Sequence, residues 1–397
     1  MPLCIRFNER ICCKLRAIAG ACGSSRGISK GLDTLSPHLT GKTIYINIQT
    51  SRAKAKPARI FTTIMGRPEP RLYSWQGKKV LITGGAGFIG STLAIRAVEL
   101  GADVTVIDSL IPEYGGCLFN LEPVKNKVRI NLSDIRDSYS LRPLIEGIDI
   151  LFNLAGQTSH MDSMKDPHTD LTINCMAQLN LLEICRQFNP NIRIIFASTR
   201  QIYGKPNYLP VDENHSINPV DINGIHKYAA ELYYGLYGKV HGIRSCILRL
   251  TNTIGPRMRI KDAKQTFVGI WVRKILESEP IEVWGGEQLR DFNDVEDVIQ
   301  AMLIASQDSN CFGKVFNLGS EGKVSLIQLA NMMKEIHGSG EIKIMAYPPE
   351  RKKIDIGDYH SSFARFKDMT GWEPAITLEQ TLRRTLDYYS DHLSVYI

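Results

Sequence analysis

The first chemistry-bearing pattern is a set of three glycines, Gly84, Gly87 and Gly90, between an apolar segment and a helix-like segment. Residues 79–90 read Lys-Val-Leu-Ile-Thr-Gly-Gly-Ala-Gly-Phe-Ile-Gly. The first glycine permits a tight turn, the second lets phosphates approach the backbone, and the third lets a helix pack closely on a strand. Because the amide groups at a helix N-terminus attract anions, this order predicts a site for the pyrophosphate of a dinucleotide.

A carboxylate after the next strand-like segment narrows the choice of dinucleotide. The segment Asp103–Ile107 is followed directly by Asp108. A carboxylate at this place can accept hydrogen bonds from the ribose hydroxyls of NAD, and it repels the additional phosphate of NADP. A glycine-rich turn without a ligand is the alternative, but it leaves the strands, the helix and the acid unexplained. The sequence therefore predicts NAD as the cofactor.

Apolar segments and helix-like segments alternate along the chain from residue 78. The predicted helices include Asp166–Phe188 and Val220–Val240. The predicted strands are Val80–Ile82, Val104–Ile107, Val128–Ile130, Ile150–Asn153, Ile192–Ala197 and Ser245–Leu250. Near-continuous apolar strands that alternate with helices indicate a parallel sheet covered on both faces. We therefore predict an α/β fold with a doubly wound parallel sheet.

The composition changes along the chain, and these changes predict three parts. Residues 1–64 hold 11 Lys and Arg but 2 Asp and Glu, a net charge of +9, whereas the remaining residues carry −2. Residues 1–76 are predicted to be a basic extension, interpreted as a mis-assigned start before Met65, an organellar targeting segment or a mobile tail. Residues 77–250 are predicted to form the cofactor-binding domain. Residues 251–397 are predicted to form a smaller substrate-binding lobe, interleaved with the sheet.

The remaining composition argues against several classes of protein. Because the basic excess belongs to the extension, the body shows no basic patch suited to nucleic acid. No uninterrupted apolar run is long enough to span a bilayer. The nine cysteines include no Cys-x-x-Cys pair, which favours a reducing compartment over a disulfide framework or a zinc site. We therefore predict a cytoplasmic protein with no metal, no nucleic-acid partner and no membrane association.

Several further segments resemble one family from about residue 78 to the C-terminus. They are Asn153–Gln157, Ala197–Gly204, Asn223–Lys227, Arg249–Arg257, Gly286–Asp297 and Phe316–Gly319. Together with the glycine motif, they resemble the extended short-chain dehydrogenases/reductases, which have a Rossmann fold, and specifically their nucleotide-sugar epimerases and dehydratases. The resemblance implies a homodimer formed through the two long helices. It also implies NAD contacts at Gly84, Gly87, Phe88, Ile89, Gly90, Asp108, Asp134, Ile135, Leu154, Ala155, Gly156 and Lys227.

The resemblance further implies a catalytic set made of a Ser or Thr, a Tyr and a Lys. Thr199 matches the residue that hydrogen-bonds the sugar hydroxyl, and Lys227 matches the lysine that holds the ribose and lowers the pKa of the tyrosine. The tyrosine position, four residues before the lysine, is Asn223, and a carboxamide cannot act as a general base. Either another group accepts the proton, or the protein binds both ligands without catalysis, or its redox chemistry needs no base here. The candidate replacement bases are His226, Tyr203, His160 and Asp162.

The two residues after Thr199 narrow the reaction that the resemblance implies. In the dehydratases both are typically acidic, and the decarboxylases typically keep a Glu at the second. Here they are Arg200 and Gln201, and neither is an acid–base catalyst at neutral pH. This favours epimerisation of a nucleotide-diphosphate sugar through a transient keto intermediate, as in UDP-glucose 4-epimerases and the related CDP-sugar 2-epimerases. A dehydratase and a silent binding protein remain alternatives. The implied substrate residues are Asn252, Arg257 and Arg290, the last suited to the diphosphate.

Overall fold

The computed structural model describes residues 74–263, 266–349 and 354–397. The strands are β1 (Lys79–Thr83), β2 (Asp103–Ile107), β3 (Val128–Asn131), β4 (Ile150–Asn153), β5 (Arg193–Thr199), β6 (Arg244–Leu250), β7 (Asn252–Ile254), β8 (Ile281–Trp284), β9 (Leu289–Arg290), β10 (Phe292–Asp294), β11 (Lys314–Leu318), β12 (Val324–Ser325) and β13 (Ile342–Met345). Seven of them form one parallel sheet in the order β11-β6-β5-β4-β1-β2-β3.

The α-helices are α1 (Phe88–Glu99), α2 (Ser138–Ile145), α3 (His160–Lys165), α4 (Pro167–Leu171), α5 (Ala177–Phe188), α6 (Ile222–His241), α7 (Phe267–Leu276), α8 (Val295–Gln307), α9 (Leu326–His337), α10 (Ala364–Thr370) and α11 (Leu378–Tyr396). Short 3₁₀ helices lie at Pro112–Tyr114, Leu118–Val124, Arg200–Tyr203 and Ser309–Cys311. A π-helical turn, Thr172–Met176, joins α4 to α5, so the predicted helix Asp166–Phe188 consists of three consecutive pieces.

The central sheet is covered on both faces, as its apolar strands predict. Successive residues of a strand point to opposite faces. In β1, Val80 and Ile82 accordingly belong to the core packed under α1 and α8, whereas Leu81 belongs to the core packed under α2, α5 and α6. This arrangement confirms the predicted doubly wound α/β fold.

The strand order reverses at β1, which lies between β2 and β4. Thr83, the last residue of β1, pairs with Ile107 of β2 on one side and with Asn153 of β4 on the other. The loops that leave these strands diverge to opposite faces, and ligands of such sheets bind in the crevice that opens there. The fold therefore places a crevice where the glycine motif begins.

The C-terminal part of the chain is woven into the same sheet. Strand β11 pairs with β6 at the sheet edge, while β7 pairs with β10, β9 with β12, and β8 with β13 in three small sheets outside it. In the described residues no helix is both long and apolar enough to cross a membrane. The basic extension predicted over residues 1–76 lies outside the described residues except for its last three. Of these, Trp75 is buried and packs on Phe152.

Candidate active site

The glycine motif forms a tight turn into α1 at the crevice. Gly84 has a φ of +67°, a backbone conformation that side chains rarely adopt. Gly87 is the N-cap residue of α1. A Cβ atom on Gly90 would lie 2.1 Å from the carbonyl oxygen of Gly84, so the close packing of helix on turn requires glycine there. The free amides of α1 consequently face the crevice, as an anion site requires.

Asp108 stands at the end of β2, and backbone amides hold its carboxylate. Oδ2 accepts a hydrogen bond from the amide of Ala86 at 3.0 Å, and Oδ1 accepts one from Leu110 at 2.9 Å. Burial nevertheless raises the pKa of Asp108. Each carboxylate oxygen keeps a further lone pair that a ribose hydroxyl can reach. A Cβ atom on Gly116 would lie 2.6 Å from Oδ1, so that glycine keeps this approach open.

The crevice gathers eleven of the twelve residues for which the sequence implied NAD contacts. It is lined by Gly84, Gly87, Phe88, Ile89, Gly90, Asp108, Asp134, Ile135, Leu154, Ala155 and Gly156. Sequence reasoning missed other lining residues, among them Ser109, Ile111, Tyr114, Gly116, Ser133, Thr158 and Ile173. They lie in loops after β2, β3 and β4 and in the π-helical turn, where no motif points to them.

Lys227, the twelfth residue, lies behind the crevice wall. Its Nζ donates to the carbonyl oxygen of Ala197 at 3.1 Å and stands 4.9 Å from the ring centroid of Phe196. Burial lowers the pKa of this lysine to about 8. A Cβ atom on Gly156 would lie 3.1 Å from this Nζ and 2.9 Å from Oδ1 of Asn174.

These groups fit the ribose of a dinucleotide. Oδ1 of Asn174 is buried and has no hydrogen-bond partner in the part of the chain that the structure describes, and the ammonium group of Lys227 stands beside the same glycine. A free acceptor and a free donor on either side of a position without a side chain can bind a hydroxyl group. NAD bound there would supply the hydride acceptor, and these residues would hold its ribose.

Thr199 ends β5, and its side chain caps the following 3₁₀ helix. Its Oγ1 accepts a hydrogen bond from the amide of Gln201 at 3.2 Å, which leaves the hydroxyl proton free for a ligand. The Gln201 side chain donates to Oδ2 of Asp221 at 3.2 Å, and Asp221 is the N-cap residue of α6. The loop carrying Thr199 is therefore tied to the start of the helix that carries Asn223 and Lys227.

Asn223 is fixed in a buried network rather than pointing freely into the site. Its Nδ2 donates to the carbonyl oxygen of Gln157 at 2.8 Å and to Oδ2 of Asp170 at 3.1 Å. Asn174 makes the same two contacts, to Gln157 at 2.9 Å and to Asp170 at 3.0 Å. Two amides thus clamp one carboxylate and one carbonyl. The clamp ties together α4, the π-helical turn, α6 and the loop after β4.

The same carboxylate orients His226. Its Oδ1 lies 2.7 Å from Nδ1 of the imidazole, and Asp170 is fully buried. A carboxylate can only accept, so Nδ1 carries the proton and Nε2 is the basic nitrogen of the neutral ring. A carboxylate that holds an imidazole in this tautomer is the arrangement used where histidine serves as a general base.

The other candidate bases are less suitable. The hydroxyl group of Tyr203 lies in the core, where it donates to Oδ1 of Asn317 at 2.7 Å and receives a hydrogen bond from Arg249, and burial raises its pKa to about 12. His160 faces Asp221, with 3.1 Å between Nδ1 and Oδ2. Asp162 lies in the first turn of α3 beside a separate shallow hollow.

The structure brings two of the three predicted substrate residues together. Asn252 donates through Nδ2 to the backbone oxygen of Asp291 at 3.0 Å and accepts at Oδ1 from Arg200 at 3.0 Å. Arg290 is buried, contacts the backbone of Leu289 at 2.9 Å, and forms an ion pair of 3.4 Å with Asp355.

Arg257 is not part of this group. It has a φ of +73° and stacks on Tyr388 of α11 at 5.6 Å. Two carboxylates close to Arg290 in sequence, Asp291 and Asp294, are engaged elsewhere. Asp291 accepts from Thr251 and the amide of Ser361, and Asp294 pairs with Arg384.

Comparison with known proteins places the chain in a family. Residues 80–319 match the NAD dependent epimerase/dehydratase family. The chain is 32% identical over 318 residues to a putative UDP-glucose 4-epimerase of Methanocaldococcus jannaschii. The aligned part covers 79% of this chain and 99% of that protein. It is 32% identical over 326 residues to UDP-glucuronic acid decarboxylase 1 of Xenopus tropicalis, covering 80% and 73%.

A solved structure agrees with these sequence matches. The UDP-glucuronic acid 4-epimerase of Bacillus cereus, in complex with UDP-glucuronic acid and NAD, superimposes with a TM-score of 0.72 at 26% identity. The superposition covers 79% of this chain and 99% of the Bacillus cereus chain. The chain belongs to the NAD-dependent epimerase/dehydratase family, which confirms the predicted family and its cofactor, NAD.

Proposed function

We propose that the protein epimerises a nucleotide-diphosphate sugar through a transient keto intermediate. The observation that carries this is the set of groups around the end of β5: a hydroxyl donor at Thr199, an ammonium group at Lys227, and no carboxylate at either residue after Thr199. Reversible oxidation of one sugar carbon needs a proton acceptor and a hydride acceptor. Elimination of water needs acid–base groups on a neighbouring carbon as well.

The Asp170–His226 pair takes the place of the missing tyrosine in this proposal. Thr199 would orient the sugar hydroxyl, and Nε2 of His226 would accept its proton. NAD held in the crevice would supply the hydride acceptor, and the imidazolium of His226 would return the proton when the keto sugar is reduced on its other face. Asp170 stabilises that imidazolium through the 2.7 Å contact.

The buried clamp supports this assignment. Asn223 supplies no proton acceptor, but it donates to Oδ2 of Asp170, as Asn174 does, while Oδ1 of the same carboxylate orients the histidine. Buried carboxylates need such partners to stay ionised. In this interpretation Asn223 positions the base, and the site is a working variant of the family arrangement.

A homodimer is proposed through α6. Three large apolar residues at four-residue spacing, Leu232, Leu236 and Val240, are 56%, 54% and 62% exposed. Residues at this spacing lie on one helix face. An exposed apolar stripe of this kind marks a protein contact. The same stripe on a second copy of the chain, related by a two-fold axis, is a matching surface for it.

The test is reduction of bound NAD by candidate sugars. UDP-glucose, UDP-N-acetylglucosamine and UDP-glucuronate are added first, because both relatives and the solved structure carry UDP in their names. Absorbance at about 340 nm reports hydride transfer, and NMR of the products separates an epimer from a decarboxylated pentose or a dehydrated sugar.

A matched pair of variants tests the base. We expect His226→Gln to slow NAD reduction by about 10² to 10⁴ while NAD and sugar affinity change little. His241→Gln, at the exposed end of the same helix, is the control. Full activity of His226→Gln would remove the Asp170–His226 pair from the mechanism. NAD bound but never reduced by any sugar would favour the silent binding protein.

A further inference from the structure

Arg200 carries a guanidinium group that is held in place but only partly hydrogen-bonded. One nitrogen, Nη2, donates to Oδ1 of Asn252 at 3.0 Å, and the group stacks on the buried ring of Tyr359 at 4.9 Å. Among the described residues, the other nitrogen, Nη1, is buried without a hydrogen-bond partner, and Arg200 forms no ion pair.

Charges of both signs surround Arg200, but none of the carboxylates forms an ion pair with it among the described residues. The pKa of Arg290 is lowered to about 10, mainly by burial and next by the positive charge of Arg200. The carboxylates of Asp291, Asp355 and Asp221 act on Arg200 from a distance, and Asp355 forms its ion pair with Arg290 instead. Asp291 lies nearby but is fully buried, and it is satisfied by Thr251 and Ser361.

Such an arrangement is unfavourable for the fold alone. Removing a cation from water costs free energy unless an anion and hydrogen bonds replace the lost hydration. The contact with Asn252 and the stacking on Tyr359 orient the guanidinium plane, but neither neutralises it. A planar group held in position, with a free donor, is suited to an oxyanion that arrives with a ligand.

The position of Arg200 in the chain indicates which part of the ligand its guanidinium group binds. Arg200 directly follows Thr199, the residue proposed to orient the reacting sugar hydroxyl, and it contacts Asn252, a proposed substrate residue. The diphosphate already has a proposed partner in Arg290. We propose that Arg200 binds a carboxylate carried by the sugar, so that the preferred substrate is a nucleotide-linked uronic acid. This inference rests on the proposed function and narrows its substrate class.

The experiment compares binding of three probes to the NAD-loaded protein. UDP, UDP-glucose and UDP-glucuronate are titrated by isothermal calorimetry into the wild type, Arg200→Gln and Arg200→Lys. Arg383→Gln, which removes an exposed arginine from α11, is the matched control. Retained NAD and a cooperative unfolding transition establish that each variant folds. Binding is measured instead of turnover, so the result does not depend on which base operates.

We expect wild-type protein to prefer UDP-glucuronate over UDP-glucose. Arg200→Gln should weaken the binding of UDP-glucuronate by about 30-fold or more, as for a truncated buried charge pair. The affinities for UDP and UDP-glucose should stay within about twofold of the wild-type values. Arg200→Lys should recover part of the loss. An equal loss for all three probes assigns the arginine to the diphosphate and overturns the proposal, as does no loss for any. If the wild type binds UDP-glucose at least as tightly as UDP-glucuronate, this inference is overturned but the proposed function is not. A wild type that binds none of the probes overturns the proposed function with it.

Discussion

Replacing Lys227 by methionine tests whether the site holds an ammonium group in unfavourable surroundings. The lysine is 7% exposed, and burial lowers its pKa from 10.5 to about 8. Because its pKa is lower in the folded chain, the unfolded chain binds the proton more tightly. Stability must therefore rise with pH between about 8 and 10.5. One pKa unit corresponds to about 1.4 kcal/mol, so the charge costs about 3 kcal/mol at about pH 7 and about 1 kcal/mol at about pH 9.5.

We expect the free energy of unfolding of Lys227→Met to exceed that of the wild type by an amount that shrinks by about 2 kcal/mol between about pH 7 and about pH 9.5. The methionine leaves the carbonyl oxygen of Ala197 without its donor, but that loss does not change with pH. Groups that titrate in both proteins cancel in the difference.

The assay is urea denaturation of both proteins, freed of dinucleotide, across this pH range. Lys239→Met, which changes an exposed lysine of the same helix, is the control. A difference between Lys227→Met and wild type that stays constant with pH would refute the reasoning, as would the same trend in the control. The variant should also lose NAD reduction, because the ammonium group proposed to hold the ribose is gone.

Three further substitutions probe the cleft, the charge and the surface. Gly156→Ala should weaken NAD binding at least about tenfold, because the new Cβ would stand 2.9 Å from Oδ1 of Asn174 and 3.1 Å from Nζ of Lys227. Fluorescence titration measures the NAD affinity, and an unchanged affinity would contradict this prediction. Arg200→Met should raise the free energy of unfolding by about 1–2 kcal/mol in urea, whereas an equal decrease would mean that the guanidinium is structural. Leu236→Glu should convert a dimer into a folded monomer in light scattering, and a wild type that is already monomeric would refute the proposed contact.

The parts of this protein that were predictable depend on contacts close in sequence. The glycine turn, the acid after β2 and the apolar strands form local patterns. They predict the sheet and its crevice, because a parallel strand buried on both faces leaves few other arrangements. All six predicted strands formed; five contain every predicted residue, whereas the fifth, predicted from Ile192, begins at Arg193 and extends to Thr199. The seventh strand, β11, pairs with β6 across more than 60 intervening residues, and no local sequence pattern predicted this pairing.

The candidate site was harder to predict because its groups meet from distant parts of the chain. Asp170 and His226 are separated by 56 positions, and nothing in either segment alone shows that they touch. One signal was present, however. Asp170, Asn174 and Gln178 recur every fourth residue on an apolar helix, and all three are fully buried. A polar stripe on the inner face of a helix indicates a buried network, since such groups must find partners.

Lys227 and Arg200 together indicate a site that serves ligands rather than stability. The lysine has its pKa lowered by burial, and Nη1 of Arg200 is buried without a partner. Neutral apolar residues at both places would give a more stable fold, because neither charge forms an ion pair among the described residues. A protein that bound NAD and a sugar nucleotide without catalysis would also use these two charges, but it would not need an imidazole held at 2.7 Å by a buried carboxylate. The stability gain predicted for both methionine variants therefore tests whether the two charges serve ligands, whereas the loss of NAD reduction in His226→Gln tests catalysis.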